Sequence, residues 1–475
     1  MKRFWLVLLS LGLVMAFSVS AFAVDVKVSG EYYAAGLYLN KTNLNDTTYT
    51  IPGTTPITVN PGPSTAFFFQ RLRVGTDFIV SPCLKLVTRF DAMERIWGGA
   101  RSASGTYDAQ SAGTRSENEN IAFDLAYIDY TSPVGLFRVG YQKDYEWGTV
   151  FGNRTTGPTV GAITYAVPVG PVTIIAQYAK ETDNSASAVT PANGITDQDY
   201  DSYRLGAIFN FNTSQAKGEV GSLLLFERNA ENKADYWGGP YAPSPPFPPV
   251  SDIGYLTNAY KLIPYFKVQL GPVAFQGEFE YTFGDAVKME NSALGSNNMD
   301  ISAWSVFLDA TANLGPVYVG GTFVYLSGDD PDPNRTTIKG GAVNTAGLDW
   351  NPCLIMFNTE TTAYWVGNLR GYNGSLVDSE MSNAWFFQGR VGVKPVPKLD
   401  AMLSVSYAQA DQKPLGYSGD AYGWEVDATG TYKITNNLSY MLGIGYLFTG
   451  DYYKGSTGAD VNDDYMVINK LTLSF

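Results

Sequence analysis

Apolar and polar residues alternate with a period of two along most of the chain, the spacing of side chains on β-strands. The alternating segments, about ten residues each, come in pairs with a tight turn inside each pair and a longer polar stretch between pairs. Phe67–Val80 and Leu84–Trp97 meet at Ser81-Pro82-Cys83, Ile121–Tyr130 and Leu136–Trp147 at Ser132-Pro133-Val134-Gly135, and Val160–Val167 and Val172–Lys180 at Pro168-Val169-Gly170-Pro171. Tyr203–Asn212 and Gly221–Arg228 flank a polar turn around Ser214. Ala259–Leu270 and Val273–Phe283 share Gly271-Pro272, and Ser302–Asn313 and Val317–Ser327 share Gly315-Pro316. Ala384–Lys394 and Leu399–Ala408 meet at Pro395-Val396-Pro397, and Tyr422–Ile434 and Leu438–Phe448 at Asn436-Asn437. Gly, Pro and Asn supply the dihedrals of tight turns, and proline there removes no ladder hydrogen bond.

These eight hairpins and two single segments, Val24–Leu39 and Tyr465–Phe475, predict about eighteen strands, an even number whose first and last members can pair and leave no edge. The stretch Ser327–Ser382 widens the expected range to 16–20. It carries Trp350, Phe357, Tyr364 and Trp365, and reads either as one long loop or as holding a further hairpin near Leu354–Phe357 and Ala363–Gly367.

Each segment has one apolar and one polar face. Leu72, Val74, Phe78 and Val80 oppose Arg71, Arg73 and Asp77; Phe275, Phe279 and Tyr281 oppose Gln276, Glu278 and Glu280; Phe387, Val391 and Val393 oppose Gln388 and Arg390. A soluble sandwich and a transmembrane barrel both alternate in this way and differ in which face meets water. Tyr and Trp near strand ends (Trp97, Tyr130, Tyr145, Trp147, Tyr281, Trp304, Tyr325, Trp385, Tyr407, Trp424 and Tyr446) fit the aromatic belts of the two membrane interfaces.

The first residues favour the membrane. Lys2 and Arg3 precede the apolar run Phe4–Val19, and Ala21-Phe22-Ala23 has the small-x-small pattern of a secretory cleavage site. Residues 1–23 are therefore expected to be a signal peptide and 24–475 the mature chain. No later apolar run is long enough for a spanning helix, so only a closed barrel could satisfy the backbone in lipid. The fold class expected is all-β: a transmembrane, antiparallel, up-and-down barrel.

The net charge of −13, made more negative by loss of Lys2 and Arg3, makes nucleic acid an unfavourable partner. The complete absence of histidine removes His-dependent triads, His-ligated zinc and histidine general bases. No CxxC pair or phosphate-binding glycine loop is present, so neither catalytic residues, a cofactor nor a metal site is expected. Cys83 and Cys353 fall at opposite ends of the barrel and are expected to be unpaired.

The final segment, Tyr465-Met-Val-Ile-Asn-Lys-Leu-Thr-Leu-Ser-Phe475, resembles the terminal signal that outer-membrane barrels present to their insertion machinery. With the leader and the hairpin repeat, the mature chain resembles Gram-negative porins. Gly445–Tyr452 also resembles the closing hairpin of alginate-export-type barrels, which have eighteen strands. The resemblance implies the cell outer membrane, contact with lipid and lipopolysaccharide, an insertion role for Phe475, and trimerisation by analogy with general porins. It implies passive diffusion of small hydrophilic solutes or ions. The alternatives are a channel specific for a sugar or organic anion, and a structural or adhesive barrel without transport. A plugged, energy-coupled transporter is not expected, because the first strand follows the leader directly.

Selectivity in such a pore comes from diameter and from charge at the narrowest point. Alternation directs Arg71, Arg73, Arg89, Arg138, Arg390 and Lys470 inward as pore-lining cations. Asp77, Asp91, Glu278, Glu280, Glu425 and Asp427 are the pore-lining acids. These could form opposed walls, or pair across neighbouring strands, as Arg89 with Asp91 and Asp77. General porins narrow their channel with an inward third loop; here that loop, Gly148–Thr159, is short, so another origin for the constriction is expected. The acidic groups Asp329-Asp330-Pro331-Asp332 and Asp460–Asp464 read as solvated loop tips, and Pro240–Pro249 as a stiff loop wall.

Overall fold

The structure is a computed structural model. It describes residues 24–51, 57–98, 121–144, 146–153, 159–184, 198–233, 254–289, 298–367 and 369–475. The expected leader, the Pro240–Pro249 run and Tyr145 lie outside these residues.

Eighteen antiparallel strands close into one barrel. In chain order they are β1 (Asp25–Leu39), β2 (Thr65–Ser81), β3 (Leu84–Ile96), β4 (Ala122–Ser132), β5 (Gly135–Lys143) and β6 (Thr159–Val169). Next come β7 (Val172–Thr182), β8 (Tyr200–Asn212), β9 (Ala216–Asn229), β10 (Tyr255–Leu270), β11 (Val273–Met289) and β12 (Met299–Leu314). The last are β13 (Val317–Leu326), β14 (Ala384–Val396), β15 (Leu399–Ala410), β16 (Ala421–Lys433), β17 (Leu438–Thr449) and β18 (Asp464–Ser474). Each pairs with its sequence neighbour. Closure comes from β1, which pairs with β2 on one side and β18 on the other. Gly30 and Phe475 exchange both backbone hydrogen bonds at that seam, at 2.8 and 3.0 Å, so the terminal residue is fixed in the ladder.

Short turns gather at the end that carries both termini, and the connections at the other end are longer. The long connection between β13 and β14 adds no barrel strand: it holds a two-residue strand at Thr337–Ile338 and a π-helix at Thr359–Val366, where a hairpin was one of the two expectations. A small hairpin, Tyr49–Ile51 with Ile57–Val59, lies in the first loop.

The faces are inverted relative to a soluble protein. Phe275, Phe387 and Val391 point outward with 38%, 47% and 45% of their surface exposed, whereas Glu278, Glu280, Ser404, Ser406, Glu425 and Asp427 are buried inside. Only lipid makes an exposed apolar exterior of this extent stable. Runs of touching rings cross the outer surface from strand to strand. Tyr203, Phe226, Tyr260 and Phe283 form one run over β8–β11, and Trp304, Tyr325 and Trp385 another over β12–β14 with centroids 4.4 and 4.3 Å apart. Trp147 corrects the belt expectation. β5 ends at Lys143, and Trp147 turns into the lumen, 6% exposed, because its ring finds an apolar bed there.

Candidate functional site: a lumen narrowed by two loops

The third loop enters the barrel despite its shortness. Residues Gly148 to Gly152 wrap round the Glu278 carboxylate of β11. It accepts bonds from the backbone amides of Thr149 (2.7 Å), Val150 (2.6 Å), Phe151 (3.3 Å) and Gly152 (2.9 Å), and from the Thr149 hydroxyl (2.7 Å). Convergent amides form a nest for an anion, here one from the wall. Glycine is required at Gly148: φ is 60°, and a Cβ would stand 2.6 Å from Glu278 Oε1. Trp147 completes the anchor. Its indole donates to the Ile263 carbonyl at 3.0 Å and meets Tyr265 edge-on, against Leu223 and Leu225.

The seventh loop (residues 327–383) also folds into the barrel. Ile355, Met356, Leu369 and Val377 are fully buried against the inward faces of β12–β18, β1 and β2. At the loop end of the barrel those faces are apolar: Leu37, Phe69, Phe386, Leu447 and Met466 are buried there. Hydrogen bonds fix the loop. Gln388 donates to the Pro352 carbonyl (2.8 Å), and Glu425 accepts the amides of Ile355 and Met356, both at 2.7 Å. The two loops touch: the Gly347 amide donates to Val150 at 3.2 Å, and a Cβ on Gly347 would lie 2.6 Å from the carbonyls of both Val150 and Asn153. The constriction thus comes from loops three and seven together, and loop three is not too short to reach it.

The inward faces of β2–β5 carry a ladder of ion pairs, and loop seven reaches their β2 edge, where Trp365 meets Phe69 with ring centroids 4.6 Å apart. Arg71 lies 3.8 Å from Glu94 and over the Tyr33 ring. Arg73 grips Asp91 through two bonds of 2.7 and 2.6 Å. Arg89 forks onto Asp124, Arg138 reaches Asp129 at 3.1 Å, and Lys85 reaches Asp77 at 3.0 Å. Arg89 therefore takes Asp124 in place of the expected Asp91 and Asp77. A register shift between Arg89 and Phe90 sets Asp124 beside it. Asp77 and Asp91 stand among the arginines, so they form no opposing wall. Burial pairs these charges, and the guanidinium-carboxylate forks hold their geometry.

Glu280 lies 3.9 Å from Lys261, and Arg390 binds Asp309 at 2.7 Å with Thr322 at 2.8 Å. Lys470 sits over Tyr33 and 3.8 Å from Glu360 of loop seven. Glu278 and Glu425 lie beneath loops three and seven. β2 and β11 are nine strands apart in the ring, so Glu278 and Glu280 do stand across the barrel from Arg71 and Arg73. Sequence reasoning missed Glu94, Asp124, Asp129, Asp309 and Arg204. The last is buried in β8 and bonded to Asp144, Glu181 and Gln177. A cavity of about 190 Å³ opens beside it, lined by Tyr127, Arg138, Gln142 and Trp147. A larger depression of about 780 Å³, among Phe275, Phe323, Phe387 and Trp424, belongs to the lipid face.

Asp464 corrects the reading of the second acidic group as a solvated tip: it opens β18, is fully buried and accepts the Lys41 amide at 2.9 Å. In the first group the carboxylates turn on their own neighbours. Asp329 binds Arg335 at 2.7 Å, and Asp332 accepts the Asn334 amide at 2.9 Å. Cys83 is exposed and Cys353 buried, and both are free thiols.

No protein-family model matches the chain, and no curated protein matches it in sequence. Solved structures do match in shape. OccK9 (OpdG) of Pseudomonas aeruginosa superposes with a TM-score of 0.50 at 14% identity, over 95% of this chain and 99% of that one. OccK2 (OpdF) of the same organism, solved with glucuronate, gives 0.50 at 12% identity over 96% and 99%. The fold is that of outer-membrane porins. A BenF-like porin from Pseudomonas fluorescens is similar over 94% of this chain and 99% of that one, at 12% identity and a TM-score of 0.48.

Proposed function

We propose that this protein is an outer-membrane porin, a channel and not an enzyme, through which small hydrophilic solutes or ions diffuse passively. The observation that carries this reading is the interior. A polar, charge-laddered wall on β2–β5 faces a lumen that loops three and seven narrow. Such an interior conducts only what is small and tolerates desolvation poorly, as expected of a size-limited aqueous pore. The sequence lacks histidine, which further disfavours a hydrolytic barrel.

A second reading, a channel specific for small organic anions, is favoured by one feature. Arg71, Arg73, Arg89, Arg138 and Lys470 stand on one side of the lumen, where guanidinium forks could exchange their carboxylate partners for those of a solute. The neighbour solved with glucuronate points the same way for this chain. Charges already paired cost more to recruit than free ones, so passive diffusion remains the first reading. Residues 1–23 act as a cleaved leader and Phe475 as the insertion signal. Lipid, lipopolysaccharide, the insertion machinery and two further copies of the chain are the partners this reading implies. Single-channel recording in planar bilayers tests it. Ohmic conductance without block by glucuronate or neutral sugars supports diffusion, saturable block by sugar acids alone supports the anion-specific reading, and no conductance overturns both.

A further inference from the structure

The sequence offered no metal centre, but the fold brings three ligand-type side chains from two elements into one buried space. Glu425 and Asp427 are alternate residues on the inner face of β16, and Cys353 comes from loop seven. They are 0%, 3% and 3% exposed, and one ligand atom of each lies within 4.8 Å of the others. Among the described residues no ion pair joins either carboxylate to a lysine or arginine. Their partners are amides. The amides of Ile355 and Met356 hold Glu425, and that of Leu354 approaches Asp427 Oδ2 at 3.4 Å. Asp427 Oδ1 is buried and has no partner.

Space is kept where the oxygens converge. Gly445 pairs with Asp427 across β16 and β17, and a Cβ there would lie 2.7 Å from Asp427 Oδ1 and 3.5 Å from Glu425 Oε1. The backbone around the thiol is fixed from both sides: Asn358 donates to the Cys353 carbonyl at 2.8 Å, and Gln388 holds Pro352.

We infer that Cys353, Glu425 and Asp427 form a binding site for a small borderline-soft divalent cation of the zinc type, which ties loop seven to the barrel wall. The donor set makes the choice. A thiolate disfavours calcium and magnesium, which take oxygen, whereas zinc accepts sulfur and carboxylate oxygen together and leaves a fourth position for water. On binding, the Cys353 Sγ–H bond breaks, its proton leaves to solvent and an Sγ–metal bond forms; no oxidation state changes. The cation supplies the positive charge that two adjacent carboxylates lack. This inference is independent of the porin reading, because it is measured by binding and not by transport.

The experiment uses the folded full-length protein in detergent, stripped with a chelator and then dialysed against Co²⁺ or Zn²⁺ alone. Folding of each variant is checked by heat-dependent gel mobility. The wild type and Cys83→Ser are expected to bind about one ion per chain and to show a thiolate-to-cobalt charge-transfer band. Cys353→Ser should lose the band, and Asp427→Asn, which keeps the thiol, should bind at least about tenfold more weakly. Should Cys353→Ser fail to fold, Asp427→Asn decides alone. Absence of the band in folded wild type, or a wild-type affinity in Asp427→Asn, overturns the site.

Discussion

Replacing Glu278 with alanine removes the one acceptor on which the tip of the third loop converges. Four backbone amides and a hydroxyl lose their partner, among them those of Val150 and Phe151, each 2% exposed and out of reach of water in place. A hydrogen bond to a charged group contributes about 1.5–3 kcal/mol, and bonds sharing one carboxylate fall short of additivity, so the docked loop loses about 4–6 kcal/mol. Against this stand the anchors that remain: burial of Trp147 and Phe151, about 2–3 kcal/mol each, and the Trp147 bond to Ile263. The two are of similar size, so the loop shifts from fixed to exchanging between docked and released states. Single-channel recordings should then show a larger mean conductance and strong open-channel noise. Glu278→Gln, which keeps one acceptor oxygen, should fall between. A folded Glu278→Ala channel as quiet and as narrow as wild type would refute the account of loop three.

Charge reversal of Arg71 and Arg73 to Glu leaves Glu94 and Asp91 unpaired in the lumen and should shift the reversal potential in a salt gradient toward cations; an unchanged potential would place the current path elsewhere. Val391→Arg, midway along β14 on the lipid face, should lower the unfolding free energy of the barrel in vesicles by about 2–4 kcal/mol, and no loss in urea titration would mean that this face does not meet lipid. Asp378 of loop seven is fully buried, and desolvation pushes its carboxyl up to about 6 although the Leu369 amide, 2.8 Å away, opposes the shift. Its folded value lies above its unfolded one. Loop docking is therefore strongest below about pH 4 and loses about 3 kcal/mol as pH rises through 6. Hydrogen exchange in loop seven should accelerate between pH 4.5 and 7.5 (after correction for intrinsic rates), and Asp378→Asn should weaken that dependence.

The strands were legible because their signal is local. Period-two alternation and turns such as Gly271-Pro272 or Asn436-Asn437 are written in adjacent residues, and each expected hairpin is observed, with the turns in place and the loop ends of the strands up to six residues off, as at Met289 against the expected Phe283. The charge partners were not, because they depend on register. The shift between Gln70 and Leu72, where Met93 adopts a φ of 54°, turns Glu94 toward Arg71, and such bulges leave no mark in alternation. The inward fold of loop seven left one trace: Leu37, Phe69, Leu447 and Met466 are apolar at inward positions near the loop ends, where a wet lumen would carry polar residues. Trp147 was misplaced because an aromatic at a strand end suits either a membrane interface or a loop anchor, and only the bed of Leu223, Leu225 and Tyr265 decides between them.

Uptake of uncharged solutes of graded size into vesicles carrying the purified protein measures the narrowed, water-filled lumen most directly. Entry should be fast for monosaccharides, fall steeply with size, and extend to larger solutes once Glu278→Ala frees the third loop. Vesicles that exclude every solute, or admit all sizes alike with and without Glu278, would contradict the account.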